Sequence, residues 1–264
     1  MAIFMARQVG RASHCVEEFS VDTLSLPGFE APGSAAAVLP ASRDVRHEAL
    51  AARIPSTIRM GTSSWSFPGW AGLVWAEQYS ENRLAQHGLA AYANHPLLRA
   101  VGVDRTYYRP MDEVALRAFR EAVSSDFRFV VKAHEWVTMA QLPRHARYGA
   151  HAGRPSPHFL DPEYTTREIV APLVAALGET LGAVLFQFPP QDSRTWGGSE
   201  TCGRDAIAER LGRFFDALPS DVPYSVEIRT AQWLTPEYVD ALYQSGVSHC
   251  LSVHPRMPTL QAQA

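Results

Sequence analysis

The amino-acid sequence predicts an α/β fold, arranged as a (β/α)8 TIM-barrel-like structure that is incomplete at the C-terminus, with about six βα units. Six short apolar runs with strand-like composition are separated by amphipathic stretches that begin at helix-capping residues. Strands that alternate with helices need crossover connections, which produce a parallel sheet. The runs occupy residues 58–264, and about 35 residues per unit is close to the ~31 of a barrel of about 250 residues.

The strand-like runs begin at Ile58 and continue to the C-terminal region. They are residues 58–65, 98–108, 127–133, 183–190, 224–229 and 249–254. Thr235 predicts a helix start, because Pro236 suits the first helical position and Gly246 suits the end. Asp112 and Thr165 predict the starts of two further helices. Since strands seven and eight do not follow, we expect an open sheet edge at each end and self-association through these edges.

Residues 1–57 differ in composition from the rest and are predicted to form a flexible N-terminal extension, followed by one barrel domain over 58–264. Residues 27–42 are rich in proline, alanine, glycine and serine, whereas 44–53 predict a short helix. We expect no signal peptide and no membrane span, because the apolar runs are too short. Three cysteines, Cys15, Cys202 and Cys250, have no metal-like spacing, and they favour a reducing cytoplasm.

The charge balance argues against a protein held mainly by nucleic-acid phosphates. The chain has 24 basic and 27 acidic residues, a formal net charge of −3, whereas phosphate-driven binding requires a cationic excess. The ten histidines show no pair with metal-ligand spacing, and the glycines do not form a phosphate-binding loop. We therefore expect no metal and no cofactor.

Five segments along the chain carry a family resemblance. They are GTSSWSFPGWAG (61–72), VGVDRTYYRP (101–110), FRFVVKAHEWVT (127–138), LFQFPP (185–190) and VEIRTAQWL (226–234). Together they resemble the YecE-like family, domain of unknown function 72. The resemblance implies a TIM-barrel-like fold that continues beyond this chain in relatives, and it implies no known activity. Gly102 and Asp104 replace the Glu and Asn of the family's Val-Glu-Ile-Asn, so Asp104 supplies a carboxylate two residues later on the same strand face.

Polar residues on one face of the predicted strands form a candidate site. In (β/α)8 barrels the active site lies at the C-terminal ends of the strands. A period of two directs Lys132 and His134 inward from one strand and Glu227 and Arg229 from another, beside Gln187. The side chains of such a ring either pair with one another as a structural polar layer or bind a ligand. We favour the ligand pocket, with Lys132 and Glu227 as catalytic residues.

Lys132 is the only lysine among the 24 basic residues. Arginine cannot lose its proton or form an imine, whereas a desolvated lysine does either. The single lysine therefore indicates a position where the required chemistry is one that arginine cannot perform. A narrow space that rejects the guanidinium group explains it equally well.

Aromatic residues in the predicted loops form a candidate rim that stacks sugars or bases. Trp65 and Trp70 follow the first strand, and Tyr108 and Arg109 follow the second. Tyrosine and tryptophan rings stack on ligands, and arginine binds phosphate or carboxylate. Core packing is the alternative for at least half of the aromatic residues, and a surface ion pair is the alternative for Arg109.

Three functions stay open on the sequence alone. The leading one is a metal-independent enzyme acting on a small anionic or sugar-containing substrate, with Asp104, Gln187, Arg229 and His134 binding it. The second is a nucleic-acid-binding or repair-related protein that uses the aromatic rim and arginines. It rests on fold analogy and is disfavoured by the net charge. The third is a catalytically silent protein.

Overall fold

The computed structural model describes residues 37–191, 193–196 and 204–264. Cys15, Cys202 and the first part of the expected N-terminal extension lie outside these residues. None of the helices within the described ranges is long and apolar enough to cross a membrane.

Six parallel strands form one curled half-barrel sheet and are hydrogen-bonded in the order in which they occur along the chain. They are β1 Met60–Thr62, β2 Leu98–Val103, β3 Arg128–Lys132, β4 Leu181–Phe188, β5 Tyr224–Ile228 and β6 Ser248–His249. The prediction of six parallel strands in sequential order is confirmed. Three strands are much shorter than predicted, because β1 covers only Met60–Thr62 of 58–65, a 3-10 turn at Arg105–Tyr107 follows β2, and β6 ends at His249.

Ten α-helices lie in the described part of the chain. They are α1 Val45–Ala51, α2 Glu81–His87, α3 Leu89–Ala93, α4 Glu113–Glu121, α5 Glu135–Thr138, α6 Pro162–Thr165, α7 Ala171–Leu177, α8 Arg204–Asp216, α9 Pro236–Gln244 and α10 Leu260–Gln263. The predicted caps Asp112 and Thr235 are confirmed, since their side chains accept hydrogen bonds from the first turns of α4 and α9. Thr165 is not a cap, because Asp161 caps α6 and Thr165 lies inside that helix.

The two faces of the sheet have different environments. Phe129, Val131, Phe186 and Val226 are buried in the main core, where the helices pack. Residues one position away point to the other face, where Val130, Leu185 and Cys250 form a small buried cluster. The period of two predicted from the sequence therefore sorts the strand residues correctly, and the second face is called the inner face below.

The segment from residue 37 to α1 packs against the loop that follows β1. Val38 is buried in the main core, and the backbone N–H of Leu39 donates to the Tyr79 hydroxyl at 3.1 Å. Further along, the N–H of Ala41 donates to the carbonyl of Val74 at 2.9 Å. The predicted helix over 44–53 is confirmed as α1. From residue 37 onward, the expected extension is thus joined to the sheet by a buried side chain and backbone hydrogen bonds.

Candidate functional site

The C-terminal ends of β2 to β5 bring five predicted site residues to the inner face. Lys132 is the last residue of β3, Gln187 and Glu227 are paired in register on β4 and β5, and Asp104 and Arg229 directly follow β2 and β5. Parallel strands end at the same edge of a sheet, so residues far apart in sequence meet there. These five residues are called the inner-face cluster.

Lys132 forms an ion pair with Asp104, with Nζ and Oδ2 at 3.1 Å. The Lys132 side chain is 18% exposed and that of Asp104 is 44% exposed. Glu227, the other residue predicted to be catalytic, is paired with Arg229 instead of Lys132. Strands lie about 4.8 Å apart, so β5, two strands from β3, is farther from Lys132 than the neighbouring β2 that precedes Asp104.

Glu227 is bound through both carboxylate oxygens. The Gln187 Nε2 donates to Oε2 at 2.6 Å, and the Arg229 Nε donates to Oε1 at 2.8 Å. The Glu227 side chain is 9% exposed, whereas that of Arg229 is 33% exposed. A buried carboxylate needs such partners, and charged hydrogen bonds of this kind are among the stronger ones in proteins.

Tyr107 lies beside the inner-face cluster. The Lys132 Nζ is 5.9 Å from the centre of the Tyr107 ring. Burial raises the pKa of Tyr107, as does the nearby Glu135 carboxylate, while Thr138 and Arg229 oppose the increase. Tyr107 is therefore a neutral hydroxyl donor and acceptor at physiological pH. The predicted rim residue Tyr108 is exposed and packs edge-on against Tyr107.

A second buried carboxylate, Glu135, follows β3. Its side chain is 3% exposed, and the Arg147 guanidinium donates to Oε2 at 2.8 Å. Burial raises the pKa of Glu135, and Arg147 opposes that increase. Arg147 also lies over the rings of Tyr108 and Tyr148, at 5.0 and 4.6 Å from their centres. This pair was not predicted from the sequence, although an acidic residue three positions after an apolar strand is a usable signal.

Cys250 adds a thiol to the inner face, just after β6. It is buried against Val130 and Leu185. Burial raises the pKa of the Cys250 thiol to about 12, helped by Glu227 and opposed by Lys132 and Arg229. The thiol is therefore protonated at physiological pH and is a poor nucleophile.

His134 is placed differently from the prediction. Its Nδ1 is 2.8 Å from the Tyr164 hydroxyl, and its ring stacks on Trp136 with centres 5.4 Å apart. Burial lowers the pKa of His134 to about 4. Because β3 ends at Lys132, the period of two does not extend to residue 134, and His134 contacts Trp136, Tyr164 and the backbone of Tyr108.

The two tryptophans expected at the rim lie on the helix side of the sheet instead, with Trp65 buried in the main core and Trp70 partly buried against it. Trp65 is buried edge-on against Phe119 of α4, with ring centres 4.9 Å apart. Trp70 packs against Trp75 and Tyr92, each at 6.2 Å. The rim prediction is wrong for these two residues, because the loop after β1 packs against α3 and α4. Arg109 is exposed in the loop before α4.

Comparison with known families identifies the relatives of this chain. The family model described as "Protein of unknown function DUF72" matches residues 59–263. The chain belongs to the DUF72 family. The UPF0759 protein YecE of Escherichia coli K12 is 26% identical over 215 residues, covering 78% of this chain and 64% of that protein. The chain thus spans less than two thirds of the length of the curated relatives that it matches.

Solved DUF72 structures resemble this chain over part of its length. A DUF72 family protein of Enterococcus faecalis V583 has a TM-score of 0.47 and 21% identity, covering 76% of this chain and 62% of that chain. A DUF72 family protein of Thermotoga maritima MSB8 has a TM-score of 0.46 and 22% identity, covering 75% and 65%.

The inner face of this DUF72 chain combines donors and acceptors within a few ångströms. Within the described ranges, no group of three or more histidine, cysteine, aspartate or glutamate side chains is placed to hold a metal ion. Lys132 and Arg229 donate, Asp104 and Glu227 accept, and Gln187 does both. Such an arrangement is suited to orienting a polar ligand and to proton transfer between an ammonium group and a carboxylate.

Proposed function

We propose that the chain has a cytoplasmic (β/α)8-barrel-like fold and acts on a small anionic or sugar-containing substrate without a metal. Lys132 and Glu227 are the catalytic residues. Asp104, Gln187, Arg229 and Tyr107 orient the substrate. The sequential order of six parallel strands, with the main core on one face, supports the barrel.

One observation supports the proposal. The Lys132–Asp104 ion pair and the carboxylate of Glu227 with its two partners lie at the ends of neighbouring strands, and both groups extend towards solvent. Glu227 is held at depth by Gln187 and Arg229, whereas Lys132, Arg229 and Asp104 are progressively more exposed. A structural polar layer only needs internal pairing. The partial exposure of the outer members favours ligand access instead.

The chemistry divides between Lys132 and Glu227. Lys132 is ion-paired with Asp104, so it serves as a proton donor or as an electrostatic clamp. Glu227 is the proton acceptor once a ligand displaces Gln187 or Arg229 from its oxygens. Arginine at position 132 keeps the charge but cannot donate a proton at physiological pH.

A ligand screen with paired variants tests the proposal. We expect small sugars or small organic anions to raise the melting temperature of the full chain, and we expect Lys132→Arg and Glu227→Gln to remove that increase while the fold persists. Arg117→Lys, on the exposed face of α4, is the control and retains the response. The proposal fails if neither class of compound binds, or if both site variants respond like the unaltered chain.

A further inference from the structure

We infer that the inner face takes a neutral, polyhydroxylated ligand, such as a sugar or cyclitol that carries neither phosphate nor carboxylate. This inference rests on the proposed function and chooses between its two substrate classes. It follows from the pairing of charges around the site. Because a carboxylate already neutralises each of Lys132, Arg229 and Arg147, none of these cations is available to pair with an anionic ligand.

Each of these three cations already holds a carboxylate. Lys132 pairs with Asp104 at 3.1 Å, Arg229 with Glu227 at 2.8 Å, and Arg147 with Glu135 at 2.8 Å. The formal charge of the three pairs is therefore zero. An anion that binds these cations would lie close to the carboxylates that already neutralise them, and juxtaposed like charges are strongly unfavourable. Sites that select anions present arginine or backbone N–H groups without such competitors.

The balance of donors and acceptors matches hydroxyl groups. Each hydroxyl donates one hydrogen bond and accepts up to two, whereas a phosphate or carboxylate ligand only accepts. Asp104 is partly exposed, and each Glu227 oxygen has one named protein donor, so both carboxylates retain accepting capacity. Lys132 and Arg229 keep further N–H groups for donation. Adjacent donors and acceptors suit a pair of neighbouring hydroxyls.

Tyr107 and Tyr108 supply the apolar part of such a site. Their rings meet edge to face with centres 5.4 Å apart, and the Tyr107 ring lies beside the Lys132 ammonium group. An aromatic ring next to a hydrogen-bonding cluster can cover the C–H face of a sugar while the hydroxyls bind the charged groups. Because Tyr107 is held neutral, it adds no charge.

Matched neutral and anionic probes test the inference in the full chain. Calorimetric titration compares glucose and myo-inositol with glucose 6-phosphate and glucuronate. We expect a neutral probe to bind about tenfold or more tightly than its anionic counterpart, since the anion meets Asp104 and Glu227. Asp104→Asn releases Lys132 and should reverse the preference, with weaker sugar binding and stronger phosphate binding. Asp240→Asn, exposed on α9, is the matched control and should leave the preference unchanged.

The outcomes separate the inference from the proposed function. If the unaltered chain prefers the anionic probes, with binding that Lys132→Met abolishes, the neutral-ligand inference is wrong and the proposed site stands. If no probe binds, or if binding is indifferent to both Lys132→Met and Glu227→Gln, the proposed function itself fails.

Discussion

At the scale of single residues, the depth of each carboxylate decides what its cation partner contributes to stability. Asp104 is half-exposed, so solvent can reach its carboxylate when Lys132 is removed. Glu227 is buried, and without Arg229 only Gln187 remains bound to it. A buried charge that loses its partner costs much more than an exposed one.

The two cations on the inner face should therefore respond differently to the same substitution. We expect Arg229→Met to lower the free energy of unfolding by about 2–4 kcal/mol, because it leaves Glu227 incompletely paired. Lys132→Met should change it by about 1 kcal/mol or less, because Asp104 is solvated. Urea denaturation of both variants measures the difference. Equal losses would show that Glu227 does not depend on Arg229.

His134 should make the stability depend on pH. Burial lowers its pKa in the folded state from 6.5 to about 4, so the unfolded chain binds more protons between these values. Stability is then greatest above the unfolded pKa and is lost as the pH falls towards 4, by at most about 3 kcal/mol. Denaturation midpoints measured across this range should fall less steeply for His134→Gln. His87→Gln, exposed on α2, should retain the original slope, and identical slopes for all three proteins would contradict the assignment.

At the scale of elements, close packing explains two features that composition alone does not reveal. β1 approaches β2 so closely at Gly61 that an added Cβ atom would lie 2.1 Å from the backbone oxygen of Ala100. The segment before α1 inserts Val38 into the main core. Gly61 lies within the strand predicted over 58–65, and Val38 lies within the proline- and glycine-rich stretch over 27–42.

Gly61→Ala should destabilise the sheet. The clash is with the backbone of β2, which cannot rotate away as a side chain can, so we expect a loss of about 2–3 kcal/mol in the free energy of unfolding. Gly212→Ala is the control, because it lies inside α8 with its nearest contact at 3.8 Å, and alanine stabilises helix interiors by up to about 1 kcal/mol. Thermal or urea denaturation compares them, and a neutral Gly61→Ala would disprove the close approach.

Val38→Ala should likewise be destabilising, by about 1–2 kcal/mol, because two buried methyl groups are lost. Val45→Ala, on the exposed surface of α1, should leave the stability almost unchanged. If both substitutions are neutral in urea denaturation, the segment before α1 is not part of the cooperative fold.

At the scale of the whole molecule, the charge distribution argues against electrostatic binding of nucleic acids. The net charge is −3, and Lys132, Arg229 and Arg147 are paired with carboxylates. We expect no measurable binding of single-stranded DNA or RNA in fluorescence anisotropy, even at about 50 mM salt, where phosphate contacts are strong. Tight binding that weakens steeply with salt would support the nucleic-acid alternative instead.

Self-association through the two edge strands, β1 and β6, stays a prediction. β1 contains three residues and β6 contains two, so each edge offers few backbone groups to a partner. Short edge strands are one way in which proteins limit edge-to-edge pairing.

Local patterns in the sequence determined the strands, their parallel order and the faces of their residues. The alternation in β3 separates Phe129 from Val130, and the caps at Asp112 and Thr235 locate helix starts, because both signals depend on residues only a few positions apart. The resemblance to DUF72 likewise comes from short motifs. From the same patterns, Lys132, Gln187, Glu227 and Arg229 could be placed at the inner face.

Only the tertiary structure decided which of these residues are partners. Lys132 binds Asp104 and not Glu227, because β2 is the neighbour of β3 whereas β5 is two strands away. Trp65 lies in the core because α4 covers the loop after β1, and Glu135 is buried because Arg147 reaches it from a later loop. These choices depend on distances between segments remote in sequence, which periodicity and composition do not encode.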